Sequence, residues 1–218
     1  MKRKLSNIIK HTNYKRLYLK YRSFTMIPYQ GYRSNLVIAE KIAKVSGCIV
    51  ECGVWKGGMI AGIAGILGNK RRYYLFDSFE GLPDAKAIDG ESAIAWQKNV
   101  DSPTFYNNCR ANKSDAVKAM NLSGVENFEV IPGWFNETLP KTCFEHPIAL
   151  LRLDGDWYDS TMICLDNLFD KVSKNGLIVI DDYYTWDGCS RAVHDFLSKR
   201  SESCRIESFE NVCFIQKR

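Results

Sequence analysis

Short apolar runs alternate along this chain with segments whose apolar residues recur every three or four positions. The apolar runs, which predict strands, lie at residues 48–52, 72–77, 128–131, 148–154 and 177–182. Amphipathic periodicity predicts helices at residues 59–67, 114–122, 160–172 and 188–199. Because strands alternate with helices, we predict an α/β three-layer sandwich with a mainly parallel sheet.

The two ends of the chain depart from this alternation. Residues 1–33 predict one or two short helices with an irregular link at 25–31, and a further helix is predicted at 35–45. Near the other end, residues 204–209 and 212–216 are typical of an antiparallel strand pair. We therefore divide the chain into an N-terminal helical arm or lid, residues 1–46, and a main domain, residues 47–218.

Composition supports a globular protein without a membrane span. The chain has 218 residues, of which 45% are hydrophobic, and it contains no apolar run of about 20 residues such as a bilayer requires. Its eight cysteines form no Cys-x-x-Cys pair, and several lie inside predicted strands. We interpret them as free, mostly buried thiols, which suits a protein of the reducing cytoplasm.

Positive charge is concentrated at the N-terminus. Residues 1–39 contain nine Lys or Arg and no acidic residue, which leaves 21 basic and 25 acidic residues in the remainder. Such an arm could bind nucleic acid or an anionic membrane surface. We favour a solvated amphipathic helix packed on the domain, because Tyr14, Leu17, Tyr18 and Tyr21 form an apolar stripe at helical spacing. We therefore expect no nucleic-acid partner.

Acidic residues close two of the predicted strands. Asp154 and Asp156 follow the run at 148–154, and Asp181 and Asp182 follow the run at 177–182. The carboxyl ends of parallel strands meet at one edge of a sheet, so three or four carboxylates are expected to converge there. An all-oxygen set suits magnesium, calcium or manganese.

A glycine turn follows the first predicted strand. Glu51 precedes Gly53 and Gly57, but neither the dinucleotide pattern nor the P-loop pattern is present. An acid at this strand end would repel phosphate and suits a cationic ligand such as S-adenosylmethionine, which carries a sulfonium and an ammonium group. Asp77, at the end of the next strand, is placed to accept hydrogen bonds from two ribose hydroxyls.

Five motifs, taken together, resemble the macrocin O-methyltransferase family. They are Glu51-Cys-Gly-Val-Trp-Lys-Gly-Gly58, Phe76-Asp-Ser-Phe-Glu-Gly-Leu-Pro83, Pro132-Gly-Trp-Phe135, Leu151-Arg-Leu-Asp-Gly-Asp156 with Tyr158-Asp-Ser-Thr161, and Ile180-Asp-Asp-Tyr183. The resemblance covers roughly residues 25–200. It implies a Rossmann-like class I methyltransferase fold, with a seven-stranded, mostly parallel sheet and an N-terminal helical lid.

The resemblance also implies a function and site residues. The expected reaction moves a methyl group from S-adenosylmethionine to a hydroxyl of a small molecule, a sugar above all, with the help of Mg²⁺. The implied metal ligands are Asp154, Asp181 and Asp182, with Asp156 as general base or substrate-orienting group. The expected cofactor-binding residues are Glu51, Gly53, Trp55, Gly57, Asp77, Ser78 and Asp154.

Several alternatives stay open at the level of the sequence. From the residues alone, Asp156 could be a base or a metal ligand, and Arg152 could be the partner of a buried ion pair. The acceptor could instead be a catechol or another small molecule. A metal- and nucleotide-binding module without turnover, recruited by the basic arm, is the rival from another class. The chain could also form a homo-oligomer.

Overall fold

A seven-stranded sheet forms the middle layer of the protein. The computed structural model describes residues 2–200 and 203–218, with side chains described from residue 12 onward. The strands are β1 (Cys48–Cys52), β2 (Tyr73–Asp77), β3 (Phe128–Pro132), β4 (Ile148–Leu153), β5 (Val172–Ile180), β6 (Ile206–Phe209) and β7 (Val212–Gln216). Their order is β3-β2-β1-β4-β5-β7-β6, and β7 runs antiparallel to β5 and β6 while the other neighbours are parallel. This confirms the predicted fold class.

Helices cover both faces of the sheet. They are α1 (Lys2–Tyr21), α2 (Tyr29–Glu40), α3 (Gly58–Leu67), α4 (Glu91–Lys98), α5 (Tyr106–Cys109), α6 (Lys113–Ser123), α7 (Phe135–Thr138), α8 (Tyr158–Leu168) and α9 (Asp187–Arg200). Short 3-10 turns occupy residues 22–24, 87–89, 139–141, 169–171 and 181–184. Among the described helices, none is both long enough and apolar enough to cross a membrane.

Strand side chains alternate between two apolar cores. Ile49 faces one core with α1, α2, α3 and α6, whereas Val50, the next residue, faces the other core with α8 and α9. Leu150 and Leu151 divide in the same way on β4. Since both faces of the central strands are covered, these strands are apolar along nearly their whole length, which is why the sequence reveals them as continuous runs.

The second half of α1 packs on the domain as the apolar stripe predicts. Tyr14, Leu17 and Tyr21 are buried in the core that also contains α2 and α3. Leu17 lies against Gly65 of α3, where a Cβ atom on the glycine would stand 2.6 Å from the leucine Cδ2 atom. The basic side chains of residues 2–11 lie outside the described residues.

Several element boundaries differ from the sequence-based prediction, and two of them affect the surroundings of the acidic residues. Helix α2 begins at Tyr29, directly after Pro28, where an irregular link was expected, and it contains Gly31. Proline is well tolerated just before a helix, and the Pro28 carbonyl accepts the first helical hydrogen bond, from Tyr32 N–H at 3.0 Å. Strand β5 ends at Ile180, so Asp181 and Asp182 both lie in the following 3-10 turn.

Candidate active site

The carboxyl ends of four neighbouring strands open into one cleft. Cys52 at the end of β1 pairs with Phe76 of β2 on one side and with Leu153 of β4 on the other, and Leu153 pairs with Ile180 of β5. Residues that follow these ends therefore share a crevice. The cleft measures about 890 Å³, and it is bordered by Gly53, Asp77, Ser78, Asp154, Asp156, Asp181 and Asp182.

Three carboxylates form the centre of this cleft. One carboxylate oxygen from each of Asp154, Asp156 and Asp182 lies within 4.8 Å of the other two. Burial raises the pKa of Asp182 well above its usual range, and burial together with the charge of Asp154 raises the pKa of Asp156 to about 7. Carboxylates held this close repel one another, so the cluster has the donor set and the charge that attract a hard divalent cation.

A buried arginine lies beneath the cluster. Arg152 is 1% exposed, and its Nη1 atom donates to Glu51 Oε1 at 2.6 Å and to Asp154 Oδ2 at 2.7 Å. Its Nη2 atom forms an ion pair with Asp181 Oδ1 at 2.7 Å. The interpretation of Arg152 as a buried ion-pair partner is confirmed. One guanidinium thus offsets part of the negative charge of three acids.

Of the four acidic residues predicted as metal ligands or general base, three lie together and the fourth lies apart. Asp154, Asp156 and Asp182 make up the close cluster, whereas Asp181 turns one oxygen towards Arg152. The same Oδ1 atom accepts a hydrogen bond at 3.0 Å from the side chain of Asn35, which comes from α2. These two contacts fix the Asp181 carboxylate, which borders the cleft.

Asp156 is held by both its backbone and its side chain. Its φ angle is +59°, a left-handed conformation that is uncommon outside glycine and that clusters at functional sites. Its N–H donates to Asp182 Oδ2 at 3.0 Å, and its Oδ1 atom accepts a hydrogen bond at 2.8 Å from the indole of Trp186. The carboxylate is therefore oriented before any ligand binds.

The glycine turn after β1 lies directly beside these acids. Gly53 has a φ of +88°, and a Cβ atom there would stand 1.7 Å from the Asp154 carbonyl oxygen, so no larger residue fits. Gly57 has a φ of +79° and precedes α3, where a Cβ atom would come within 3.0 Å of Ala116. At both Gly53 and Gly57, the absence of a side chain allows the backbone to pass close to neighbouring segments.

Asp77 closes the turn from the neighbouring strand. Its Oδ2 atom accepts hydrogen bonds from the N–H groups of Val54 and Trp55 at 2.9 and 2.8 Å, and its Oδ1 atom accepts one from Phe79 at 2.7 Å. A carboxylate has about four acceptor sites, so roughly one remains for a ligand hydroxyl. Burial raises the pKa of Asp77 to about 6 despite these bonds. Ser78 bonds within the same loop, to the Gly81 carbonyl at 3.0 Å.

Glu51 faces a small cavity that adjoins the cleft. This cavity of about 30 Å³ is also lined by Met26, Gly53, Trp55 and Arg152. Glu51 is 1% exposed, and its Oε2 atom has no hydrogen-bond partner among the described residues. Burial raises the pKa of Glu51 to about 7, against the effect of Arg152. A buried carboxylate oxygen without a partner would be stabilised by a cationic ligand.

The segment between β2 and α6 covers the cleft. Its α5 turn contains four consecutive residues in left-handed conformation, with φ values of +49° to +59° from Tyr106 to Cys109. Such residues cost about 1–2 kcal/mol each unless they are glycine or asparagine, and two of the four are asparagine. Asn108 anchors the turn: its carbonyl accepts from Leu82 N–H at 3.0 Å, and its Nδ2 donates to the Leu82 carbonyl at 2.8 Å.

Sequence reasoning missed three contributors to this site: Asn35, Trp96 and Trp186. Asn35 comes from α2 and donates to Asp181, whereas Trp96 comes from α4 and contacts Trp186 with ring centroids 5.9 Å apart. Each contact joins segments far apart in the chain, and no periodic pattern marks them. Asn35 and Ser34 are buried polar residues of α2, and such groups need hydrogen-bond partners, but their burial is known only from the structure.

The family model for macrocin-O-methyltransferase matches residues 22–218. A relative from Streptomyces olivaceus, 8-demethyl-8-(2,3-dimethoxy-alpha-L-rhamnosyl)-tetracenomycin-C 4'-O-methyltransferase, is 36% identical over 181 residues, which are 76% of this chain and 64% of the relative. Mycinamicin III 3''-O-methyltransferase from Micromonospora griseorubida is 34% identical over 173 residues, which are 74% of this chain and 65% of the relative. The chain thus spans less than two thirds of the length of these relatives.

Solved structures agree with this assignment. The O-methyltransferase NovP has a TM-score of 0.72 and 28% sequence identity, and the match covers 89% of this chain and 82% of that one. The calicheamicin methyltransferase CalS11, at 19% identity and a TM-score of 0.62, shares the fold over 94% of this chain and 91% of its own. With the family match over residues 22–218, the site described above is that of a member of the macrocin-O-methyltransferase family, to which this chain belongs.

Proposed function

We propose that this protein transfers a methyl group from S-adenosylmethionine to a hydroxyl group of a small molecule, a sugar unit above all. The main support for the proposal is that a region suited to the cofactor and a cluster of carboxylates lie next to each other. The glycine turn and Asp77 lie beside the cluster of Asp154, Asp156 and Asp182 in this cleft, and Glu51 lines the small cavity that adjoins it. The name of the relative from Streptomyces olivaceus describes a methyltransferase for a rhamnosyl compound, which supports a sugar acceptor.

S-adenosylmethionine fits the side of the cleft next to β1. The unpartnered Oε2 atom of Glu51 suits its ammonium group, and the remaining acceptor site of Asp77 suits a ribose hydroxyl. We assign Gly53, Trp55 and Ser78 to the same region, because they border the cleft, and Gly57 to the shape of the turn. Asp154 connects this region to the carboxylate cluster, since it also lines the cavity beside Glu51.

A divalent cation such as Mg²⁺ fits the acidic side of the cleft. We assign Asp154, Asp181 and Asp182 as its ligands, with the contacts from Arg152 and Asn35 to one oxygen of Asp181 orienting that carboxylate. The cation would supply Lewis-acid stabilisation for the negative charge that develops on the acceptor oxygen. The carboxylate oxygens of this site match its preference for hard ligands.

Asp156 is the proposed general base. It lies within 4.8 Å of ligand oxygens of Asp154 and Asp182, so a hydroxyl beside those residues is also beside Asp156. Its carboxylate accepts the hydroxyl proton, and the acceptor oxygen forms a bond to the methyl carbon while the bond between that carbon and the sulfonium sulfur breaks. The products are the methyl ether and the neutral thioether S-adenosylhomocysteine. General base catalysis of this kind contributes typically about 10²–10⁴-fold to a rate. Alignment of the two reactants within about 3–3.5 Å supplies much of the remainder.

Calorimetric titration with S-adenosylmethionine and with NAD tests the cofactor assignment. We expect binding of S-adenosylmethionine and none of NAD, because the turn after β1 lacks the phosphate-binding pattern. Binding of NAD alone would overturn the assignment. The Asp154→Asn variant separates the two halves of the cleft: metal-dependent turnover should disappear, while S-adenosylmethionine binding should be largely kept. Equal loss of both would contradict the assigned roles.

A further inference from the structure

Trp186 makes a direct contact with the proposed base from a position outside the five motifs described in the sequence analysis. It lies just after the 3-10 turn Asp181–Tyr184, in the connection to α9. Its indole Nε1–H donates a hydrogen bond to Asp156 Oδ1 at 2.8 Å. This is the one hydrogen bond that a described side chain donates to the Asp156 carboxylate. Removal of the indole N–H would therefore affect the Asp156 carboxylate directly.

The chemistry of the indole suits an orienting role. An indole N–H donates a hydrogen bond and has no acceptor atom, and it does not titrate in the range of enzyme function. It therefore holds Oδ1 of Asp156 as an acceptor under all working conditions. The backbone N–H of Asp156 is bound at the same time by Asp182 Oδ2. The backbone of Asp156 and one oxygen of its carboxylate are therefore both held by hydrogen bonds.

The indole is itself held in place by two further tryptophans. Its ring lies edge-on to Trp157, with centroids 5.2 Å apart and an interplanar angle of 67°, and edge-on to Trp96 at 5.9 Å and 63°. Trp157 is buried and its Nε1–H donates to the Pro83 carbonyl at 2.9 Å. Trp96 belongs to α4, in the segment that covers the cleft. The hydrogen-bond donor to Asp156 therefore rests against the cover of the acceptor site.

We propose that Trp186 is a positioning residue, which orients the Asp156 carboxylate for removal of the acceptor proton. This inference rests on the proposed function for the role of Asp156, but the contact itself does not. Displacement of a catalytic group by about 1 Å can lower the rate by about 10²-fold. Loss of the indole N–H should therefore lower kcat by about 10- to 100-fold and leave the KM for S-adenosylmethionine within about twofold.

A double-variant cycle separates this role from a general effect on packing. Trp186→Phe keeps an aromatic ring and removes the N–H group, and Asp156→Asn removes the base. If Trp186 acts through Asp156, adding Trp186→Phe to Asp156→Asn should cause no further loss of kcat. Losses that multiply in the double variant, or a single Trp186→Phe variant within twofold of the wild type, would overturn the proposal. Tyr184→Phe is the matched control, because Tyr184 is exposed and lies in the 3-10 turn that precedes Trp186.

An NMR measurement tests the contact without turnover. The chain has five tryptophans, so its ¹H–¹⁵N spectrum should contain five indole signals, and Trp186→Phe identifies the one that belongs to Trp186. Asp156→Ala removes the acceptor and should move this signal farther than the other four. An unmoved Trp186 signal would overturn the contact. Lack of any methyl transfer by the wild type would instead count against the proposed function, so the two failures can be told apart.

Discussion

Replacement of Arg152 by methionine tests the buried ion-pair network most severely. Methionine has an unbranched apolar side chain that fills part of the same space. The substitution removes the guanidinium, whose nitrogens lie 2.6–2.7 Å from oxygens of Glu51, Asp154 and Asp181. Arg152 and Glu51 are each 1% exposed, so water cannot replace the lost partner. Truncation of one partner in a buried pair costs about 3–5 kcal/mol. This is a large part of the roughly 5–15 kcal/mol that stabilises a typical domain.

Urea unfolding at pH 7.5, followed by circular dichroism, measures this effect. We expect Arg152→Met to lower the free energy of unfolding by about 3–5 kcal/mol, which corresponds to a fall in Tm of about 6–20 °C for a chain of this size. The loss should be smaller at pH 5, because the acids left without a partner can take up protons in the folded state. Greater loss at pH 5 would contradict this reasoning.

The surface pair of Arg33 and Glu210 provides a matched control. Its Nη1–Oε2 distance is 2.6 Å, the same as that between Arg152 and Glu51, but its side chains are 27% and 35% exposed. Exposed pairs contribute about 0–1 kcal/mol, so Arg33→Met should change the free energy of unfolding by no more than about 1 kcal/mol. If the two variants lost equal stability, burial would not be the cause, and the reasoning about Arg152 would be refuted.

Three further outcomes follow from the site. The folded-state pKa of Glu51 is about 7, above its ordinary value of 4.5, so the folded state binds more protons than the unfolded state between these values. The free energy of unfolding should therefore fall as pH rises from about 4 to 7. Glu51→Gln should make this decline less steep in urea unfolding, and an unchanged slope would refute the reasoning. In calorimetric titrations, Asp181→Asn should weaken the affinity for Mg²⁺ about 10-fold or more, and Asp156→Asn should weaken it far less. The reverse order would make Asp156 the metal ligand and contradict the ligand role of Asp181. Gly53→Ala should destabilise the protein and weaken S-adenosylmethionine binding in the same titrations, because its Cβ would overlap the Asp154 carbonyl oxygen; wild-type binding would contradict this.

The parts of the fold that depend on local patterns were predictable from the sequence. Buried parallel strands leave continuous apolar runs, and β1 was predicted with the bounds that the structure has. Acids directly after such runs had to converge, because parallel strands end at one edge of the sheet. Asp181 and Asp182 were predicted at the end of the last parallel strand, and both lie in the turn that directly follows β5.

The parts that depend on contacts between distant segments were not predictable. Asn35 reaches Asp181 from α2, and Trp186 reaches Asp156 from the connection before α9. Neither spacing follows a helix or strand period. The left-handed turn at Tyr106–Cys109 is maintained by bonds to the segment around Leu82, so its conformation is decided by tertiary structure. The segment between β2 and α6, which covers the cleft, likewise lacks a clear hydrophobic periodicity over most of its length.

Methyl transfer measured by mass spectrometry is the most direct test of the proposed chemistry. The wild-type protein is incubated with isotope-labelled S-adenosylmethionine and a panel of sugar-bearing acceptors, with Mg²⁺ or with EDTA, beside the Asp154→Asn variant. We expect one labelled methyl group on an acceptor hydroxyl with the wild-type protein and Mg²⁺, and none with EDTA or with Asp154→Asn. Equal labelling in the presence of EDTA, or by Asp154→Asn, would contradict a reaction that depends on the carboxylate cluster.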